Sequence, residues 1–204
     1  MKLYFSPGAC SLSPHIVLRE SGLPFELEAV DLKTKKTKSR ADFNTISVKS
    51  AVPTLQLDDG QVLTEGAAIV QYLADKAPVM KLAPTAGTLE RVRLQEWLNF
   101  IATELHKTFS PLFSPATPPE TKKLAMDKLR KNFGYVERQL EGKAYLMGEH
   151  FTGAVAYLYV MLTWAGLFQM DRAQWPTLAA YFERVSARPA VKAALEAERQ
   201  ARAN

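Results

Sequence analysis

The only cysteine of the chain, Cys10, lies where a thiol could become reactive. It follows a short apolar run, residues 1–5, and a Pro7-Gly8 turn, and it precedes a helical pattern that starts at Ser11. This order predicts a strand, a turn and then a thiol at the amino end of a helix. Unpaired N–H groups and the helix dipole favour thiolate there, so Cys10 is a candidate for sulfur chemistry. The alternative is a small buried hydrophobic residue.

Two later motifs offer contacts for a ligand beside that thiol. Val52-Pro53 enters a predicted strand, where a proline can be purely structural. A cis bond there would instead turn the backbone of Val52 toward the first helix, where an extended peptide could pair with it. Glu65-Gly66 opens a predicted helix. Either Glu65 only complements the helix dipole, or Gly66 admits a ligand carboxylate and Glu65 accepts an ammonium group.

The basic stretch from Lys33 to Arg40 is typical of a solvated loop. Alternatively, one of its lysines binds a second anionic end of the ligand. An ammonium partner, a helix-end carboxylate site and a lysine together fit a short peptide with one amine and two carboxylates.

The predicted helix over residues 88–113 carries an unusual polar face. Asn99, Thr103 and His106 are spaced four and three residues apart and therefore share one side of a regular helix. His106 could donate a hydrogen bond to a ligand sulfur or stabilise a thiolate, and a plain surface face is the alternative. The other histidines, His15 and His150, are less suitably placed for this role.

The pattern of elements predicts two domains. Residues 1–81 follow the order βαβαββα, with Asp58-Asp59-Gly60 as a hairpin turn, which indicates a mixed four-stranded sheet covered by helices. A stretch with Pro and Gly over residues 77–87 reads as a linker. Residues 87–204 are predicted to be all helical. The fold class is therefore α/β followed by all-α.

Composition excludes several classes of function. The 204 residues are 47% hydrophobic and 23% charged, and the net charge of +5 is spread along the chain without nucleic-acid-binding motifs. No apolar run is long enough to span a bilayer, and no signal peptide is recognisable, so we expect no membrane partner and a cytoplasmic location. One cysteine permits no intramolecular disulfide. Three scattered histidines offer no metal-ligand spacing, so no metal is expected.

Taken together, four tracts closely resemble the bacterial beta-class glutathione S-transferases over essentially the whole chain. The tracts are Ser6-Pro7-Gly8-Ala9-Cys10-Ser11, Val52-Pro53, Leu63-Thr64-Glu65-Gly66 and residues 97–107, WLNFIATELHK. The resemblance implies a thioredoxin-like N-terminal domain, a helical C-terminal domain (the glutathione S-transferase fold) and a homodimer.

The resemblance also implies that glutathione is the co-substrate and that it binds beside Cys10. Lys35 would hold one of its carboxylates, Val52-Pro53 would pair with its cysteinyl backbone, and Glu65 with Gly66 would hold its γ-glutamyl end. His106 would lie near the sulfur, as the second catalytic residue after Cys10. The remaining residues that line the site in this family correspond to Asn99, Thr103, Glu104 and Leu105, some of them reaching across the dimer interface.

The implied activity is conjugation of the glutathione thiolate to electrophilic small molecules, as in detoxification, with Cys10 able to form a mixed disulfide with glutathione. A second cysteine is absent near Cys10, so only a monothiol route is open. The alternatives are a glutathione-dependent disulfide reductase or dehalogenase, and a non-catalytic carrier of apolar ligands. The predicted electrophile pocket between the domains draws on four aromatic residues, which are Phe109, Phe113, Trp164 and Phe168.

One position departs from the family pattern. The core helix of the second domain usually begins with Ser/Thr-x-x-Asp, a capping box, whereas this chain has Thr152-Gly153-Ala154-Val155. We expect Thr152 still to cap the helix, Val155 to return no hydrogen bond, and the loss to cost about 1 kcal/mol. Val155→Asp is therefore predicted to raise the melting temperature.

Overall fold

The computed structural model describes residues 1–203, which form two compact units. The first unit contains Met1–Ala83 and the segment from Ala187 onward, and the second contains Pro84–Ser186. The strands in chain order are β1 (Lys2–Phe5), β2 (Glu26–Asp31), β3 (Lys36–Thr37), β4 (Thr54–Gln56) and β5 (Val62–Thr64). The helices are α1 (Leu12–Ser21), α2 (Phe43–Ile46), α3 (Gly66–Lys76), α4 (Leu89–Phe100), α5 (Lys107–Phe113), α6 (Pro119–Leu140), α7 (Gly153–Leu167), α8 (Pro176–Ser186) and α9 (Pro189–Ala203).

The first unit is built on one mixed sheet in the order β3-β2-β1-β4-β5. Strand β1 pairs parallel with β2, and the other neighbours are antiparallel. Its central residues Leu3 and Leu55 are 0% exposed, and the apolar faces of α1 and α3 are buried in the same unit. The predicted hairpin is confirmed, since Leu57 N–H donates to the Gln61 carbonyl at 2.8 Å across the turn. This is the predicted thioredoxin-like order βαβαββα with one additional short strand, β3, between β2 and α2.

The sheet has five strands rather than the predicted four, because the basic stretch folds back on β2. Val30 pairs with Thr37 and Asp31 with Lys36. The Asp31 carboxylate accepts the N–H groups of Lys33 and Thr34 at 2.8 and 3.3 Å, which tightens the turn. An aspartate turn of this kind gives no hydrophobic periodicity, so the prediction missed the strand.

The C-terminal helix α9 packs against α1 in the first unit. Val191 and Ala194 are 0% exposed, and Glu198, one helical turn further on, is 4% exposed. The predicted division gave residues 87–204 to the helical domain, whereas close packing groups this helix with the sheet. The spacing of its buried residues showed that α9 has an inner face but carried no information about which unit it covers.

The second unit is helical and is organised around α7, whose residues are nearly all buried. Helix α6 presents the stripe Ala125, Leu129, Phe133, Val136 and Leu140 to this unit's core. The predicted continuous helix over residues 88–113 is interrupted: Ile101–His106 forms a π-helical segment between α4 and α5. Among the described residues, no helix is both long enough and apolar enough to traverse a lipid bilayer.

The prediction that the Thr152 side chain caps α7 is wrong. Thr152 has the extended backbone of an N-cap, but its side chain makes no cap hydrogen bond, and its buried hydroxyl has no hydrogen-bond partner among the described residues. The N–H of Val155 donates to the Thr152 carbonyl at 2.9 Å instead. Val155, 0% exposed, presents an apolar side chain where the family pattern has an acceptor.

Candidate functional site

Cys10 lies two residues before α1, in the loop that leaves β1. The Ser11 hydroxyl closes this loop, since it accepts the Ser6 N–H at 3.1 Å and donates to the Ser6 carbonyl at 3.3 Å. Cys10 is partly exposed, and its thiol donates to the Val52 carbonyl at 3.3 Å. The first turn of α1 contains no acidic residue, so nothing in that turn offsets the positive end of the helix dipole. The predicted strand–turn–thiol–helix order is confirmed.

The Cys10 loop, residues 6–10, is held from behind by α9. Gly8 has φ +78, and its N–H donates to Glu198 Oε2 at 2.8 Å. A Cβ at Gly8 would collide with the guanidinium of Arg202, which itself donates to the Pro7 carbonyl at 2.9 Å. Position 8 therefore favours glycine for its backbone angle, whereas the Arg202 guanidinium is the end of a flexible side chain that could move aside.

Behind the loop, Glu198 also binds His15. The other carboxylate oxygen lies 3.2 Å from His15 Nδ1, and Arg19 Nε donates to His15 Nε2 at 3.0 Å. A guanidinium only donates, so Nε2 must accept and Nδ1 must carry the proton that Glu198 accepts. His15 is thus a buried support whose two ring nitrogens are both engaged, by Glu198 and by Arg19. Glu198 was missed, because no local pattern links position 198 to a turn at position 8.

The segment 49–53 connects the other predicted contacts of the first unit. The Val52–Pro53 bond is cis, as hypothesised, and the Val52 carbonyl faces the Cys10 thiol. Lys35, which has φ +56, donates from Nζ to the Ser50 carbonyl at 2.8 Å. Thus Cys10, Lys35 and Val52 all lie around one short stretch of backbone.

Glu65 sits at the N-cap of α3 rather than in its first turn. Its φ of +67 is unusual for a residue with a side chain, and strain of this kind clusters at functional sites. The carboxylate forms an ion pair with Lys49 at 2.6 Å, and both side chains are largely exposed. A Cβ at the next residue, Gly66, would meet only Pro53 Cγ at 3.6 Å, an ordinary van der Waals contact, so this position has room for a side chain. No pattern in the sequence predicted the contact between Lys49 and Glu65.

The second unit holds the remaining predicted residues on or beside the π-helical segment. Thr103 donates from its hydroxyl to the Asn99 carbonyl at 3.0 Å, and both residues are exposed. Leu105 is 0% exposed and faces the core of this unit. Glu104 is paired with Lys128 at 2.9 Å. A wider π turn changes the angular spacing of side chains, so the single polar face expected of a regular helix does not hold beyond Phe100.

Two side chains support the widened turn through one carbonyl. Asn132 Nδ2 on α6 and the Thr108 hydroxyl each donate to the Glu104 carbonyl at 2.8 Å. Carbonyls displaced from the regular helical ladder need other donors, and these two provide them.

His106 ends the π-helical segment against α7. Its Nδ1 lies 2.6 Å from the hydroxyl of Tyr157, and its ring meets the ring of Trp164 edge-on with centroids 5.0 Å apart. The ring centroids of Trp164 and Phe113 are 4.9 Å apart, and those of Phe113 and Phe168 are 5.0 Å apart. The aromatic residues proposed for the electrophile, Phe109 included, therefore form one continuous cluster within this unit.

Comparison with known proteins agrees with this architecture. Sequence models of the glutathione S-transferase N-terminal and C-terminal domains match residues 8–76 and 100–189. The chain is 46% identical to glutathione S-transferase GstA of Escherichia coli O157:H7, over 97% of this chain and 98% of that protein.

Solved structures give the same result. A sphingomonad glutathione S-transferase complexed with glutathione aligns with a TM-score of 0.94 at 46% identity, over 97% of this chain and 98% of that one. A bacterial beta-class enzyme of Sphingomonas chungbukensis aligns with a TM-score of 0.94 at 45% identity, with the same coverage. The chain belongs to the glutathione S-transferase family, in the bacterial beta class that its motifs indicated.

Proposed function

We propose that this protein is a glutathione transferase that binds glutathione at the amino end of α1 and directs its thiolate to electrophilic small molecules. The observation that carries the proposal is the position of Cys10, a partly exposed thiol before α1 that contacts the Val52 carbonyl at 3.3 Å. N–H groups at a helix start favour an anionic sulfur, whether it belongs to the protein or to the tripeptide.

The first unit supplies groups for each part of glutathione. The backbone of Val52, next to Pro53, would pair with the cysteinyl residue as a strand pairs with its neighbour. Glu65 would accept the γ-glutamyl ammonium group, and the N–H groups from Gly66 onward would bind its carboxylate. Since Lys49 occupies Glu65 at 2.6 Å, the ligand ammonium must share or displace that contact. Lys35 would leave the Ser50 carbonyl for the second carboxylate.

His106 is proposed to assist at the sulfur. An imidazole N–H donated to the glutathione sulfur would stabilise the thiolate relative to the thiol and so lower its pKa toward neutrality. Asn99, Thr103, Glu104 and Leu105 would line the ligand in the same region by resemblance to the family. The cluster of Phe109, Phe113, Trp164 and Phe168 offers apolar surface for an aromatic electrophile.

A disulfide route is the second candidate, favoured by the partly exposed Cys10. Attack of its thiolate on the glutathione sulfur of a mixed disulfide between glutathione and a substrate thiol would form a Cys10–glutathione bond and release the substrate thiolate. A second glutathione thiolate would then break that bond, regenerate Cys10 and leave as glutathione disulfide. The same scaffold could serve a reductase or dehalogenase. A non-catalytic carrier is the third alternative and predicts ligand binding without turnover of glutathione.

Two assays test the proposal. We expect conjugation of 1-chloro-2,4-dinitrobenzene well above the buffer rate, and hydroxyethyl disulfide reduction reports the alternative route. Cys10→Ala should keep conjugation, because the attacking sulfur belongs to glutathione, and should lose the glutathione adduct that mass spectrometry detects on the oxidised wild type. Absence of glutathione uptake by calorimetry, together with conjugation at the buffer rate, would refute the proposed function.

Lys35→Met, compared with Lys36→Met at the neighbouring exposed position, isolates the carboxylate contact. We expect only Lys35→Met to raise the glutathione KM, by about tenfold for one lost charge-assisted hydrogen bond. Equal effects of the two changes would assign the loss to general charge.

The homodimer and the cytoplasmic location also remain proposals, supported by the resemblance to the family. Light scattering at micromolar concentration tests the dimer, for which we expect twice the mass of the 22.7 kDa chain.

A further inference from the structure

The hydrogen bond between His106 and Tyr157 fixes more than the position of the imidazole. The two atoms, His106 Nδ1 and the Tyr157 hydroxyl oxygen, are 2.6 Å apart. Tyr157 is 5% exposed and lies on α7, a helix buried along almost its whole length. Tyr157 therefore lies on a closely packed helix, whereas His106 is partly exposed.

The chemistry of the two groups decides which one donates. A phenol ionises near pH 10 and is a much stronger acid than the N–H of a neutral imidazole, while the bare imidazole nitrogen is the stronger base. The favoured arrangement is therefore O–H from Tyr157 to Nδ1 of His106. The proton of the neutral ring must then lie on Nε2, because the bond made by one ring nitrogen sets the state of the other.

Two aromatic contacts restrict the orientation of the His106 ring. The His106 ring lies edge-on to Tyr157, with centroids 5.8 Å apart and an interplanar angle of 85°. It also lies edge-on to Trp164, at 5.0 Å and 75°. Rotating the ring by 180° about its Cβ–Cγ bond would put Cδ2 in the place of Nδ1 and break the short bond to Tyr157.

We propose that Tyr157 is a positioning residue that keeps His106 in the Nε2–H form, so that the neutral imidazole is already a donor to the ligand sulfur. This rests on the proposed function, in which His106 serves the glutathione thiolate. Without the Tyr157 hydroxyl, the neutral ring would divide between its two tautomers and rotate more freely. The hydrogen bond to the sulfur would then be lost from part of the population.

Nitrogen NMR of the histidine side chains tests the tautomer without glutathione. The chain has three histidines, so His106→Gln identifies the His106 signals by their disappearance. We expect the Nε2–H form in the wild type above pH 8 and a mixture of tautomers in Tyr157→Phe. A wild-type His106 protonated on Nδ1 would overturn the proposal, and this measurement needs no variant of Tyr157 to fold.

The catalytic readout is the pH profile of kcat/KM with 1-chloro-2,4-dinitrobenzene. Tyr157→Phe should move the glutathione thiol pKa upward and lower kcat/KM at neutral pH by about twofold to fivefold, because only part of the His106 population would then present the donor. The matched control is Tyr159→Phe on the same helix, whose hydroxyl accepts from Ser186 at 3.2 Å. We expect the control to leave the profile unmoved.

A double change separates positioning from a structural role. In a His106→Gln background the amide has no tautomers, so Tyr157→Phe should cost little more. An additive loss there, or an unmoved pH profile in Tyr157→Phe, would overturn the positioning role. If the wild type shows the Nε2–H form but takes up no glutathione by calorimetry, the proposed function fails, and the positioning role fails with it. If instead glutathione binds but His106 is protonated on Nδ1, only the positioning role fails.

Discussion

The Cys10 loop and the π-helical segment that ends at His106 are stabilised in contrasting ways. The loop is closed by Ser11 and contacted by Arg202, but its buried anchor is one carboxylate. That anchor, Glu198, contacts Gly8 from 190 positions away in the chain. The segment depends on several neutral hydrogen bonds from neighbouring helices, including those of Asn132 and Tyr157. A buried charge with several partners is expensive to disturb, whereas neutral bonds can be lost one at a time. The two regions should therefore respond to substitution with different magnitudes.

Glu198→Ala should have the largest effect. It removes the acceptor of the Gly8 N–H and of His15 Nδ1 from a buried position, which we expect to cost about 3 kcal/mol. The melting temperature should fall by about 10 °C, and the rate of Cys10 alkylation should change because its loop loses an anchor. Calorimetry and iodoacetamide kinetics measure both. Glu196→Ala, which removes an exposed pair with Arg199 on the same helix, should change neither.

Asn132→Leu should have an intermediate effect on the second region. The change keeps the approximate shape of the side chain without adding a charge, removes the donor to the Glu104 carbonyl and leaves the Thr108 hydroxyl as the remaining side-chain donor. We expect a loss of about 1–2 kcal/mol and faster amide exchange over residues 101–106, with the alkylation rate of Cys10 unaltered. If Cys10 responded as strongly as in Glu198→Ala, the two regions would not be independently supported.

Val155→Asp tests the start of α7, the helix that carries Tyr157. The new carboxylate would accept the Thr152 N–H and its unpartnered hydroxyl at the positive end of the helix. These contacts should outweigh the lost burial of Val155, with a gain of about 1 kcal/mol and a rise of about 2–4 °C in melting temperature.

The background Thr152→Val serves as the control for that prediction, since it removes the orphan hydroxyl while keeping the shape of the side chain. Val155→Asp should gain less there. A fall in melting temperature in the wild-type background would refute the capping account.

Lys49→Met should have the smallest effect on stability, because its pair with Glu65 is exposed. Its value lies in binding: with Lys49 absent, Glu65 is available to the ligand ammonium group, and the glutathione dissociation constant should fall about twofold to fivefold. Weaker binding in Lys49→Met would mean that Lys49 itself contacts the ligand. The control is Lys33→Met, which removes the same charge outside the 49–53 segment. It should change neither the stability nor the glutathione dissociation constant.

The contrast also explains how far the sequence predicted the site. The Cys10 loop could be predicted from its local sequence, in which a proline, a glycine and a serine flank the single cysteine. The Val52-Pro53 contact could be predicted from local sequence in the same way. The Lys49–Glu65 pair and the contact of Glu198 with the Cys10 loop could not be predicted. In each case the two residues are distant in the sequence and only the packing of the folded chain brings them together. The π-helical segment was missed for a similar reason: its donors Asn132 and Thr108 are ordinary residues until α6 is placed beside it.

By itself the sequence determined the alternation of strands and helices, the position of the thiol before α1 and the two-unit organisation, because these follow from local backbone preferences and from short apolar repeats. Only the tertiary structure decided that α9 supports the Cys10 loop, that residues 101–106 widen into a π turn and that Tyr157 meets His106. Those features arise from single polar contacts between buried surfaces. Apolar periodicity shows which face of a helix is inside, but not which polar atom it will meet there.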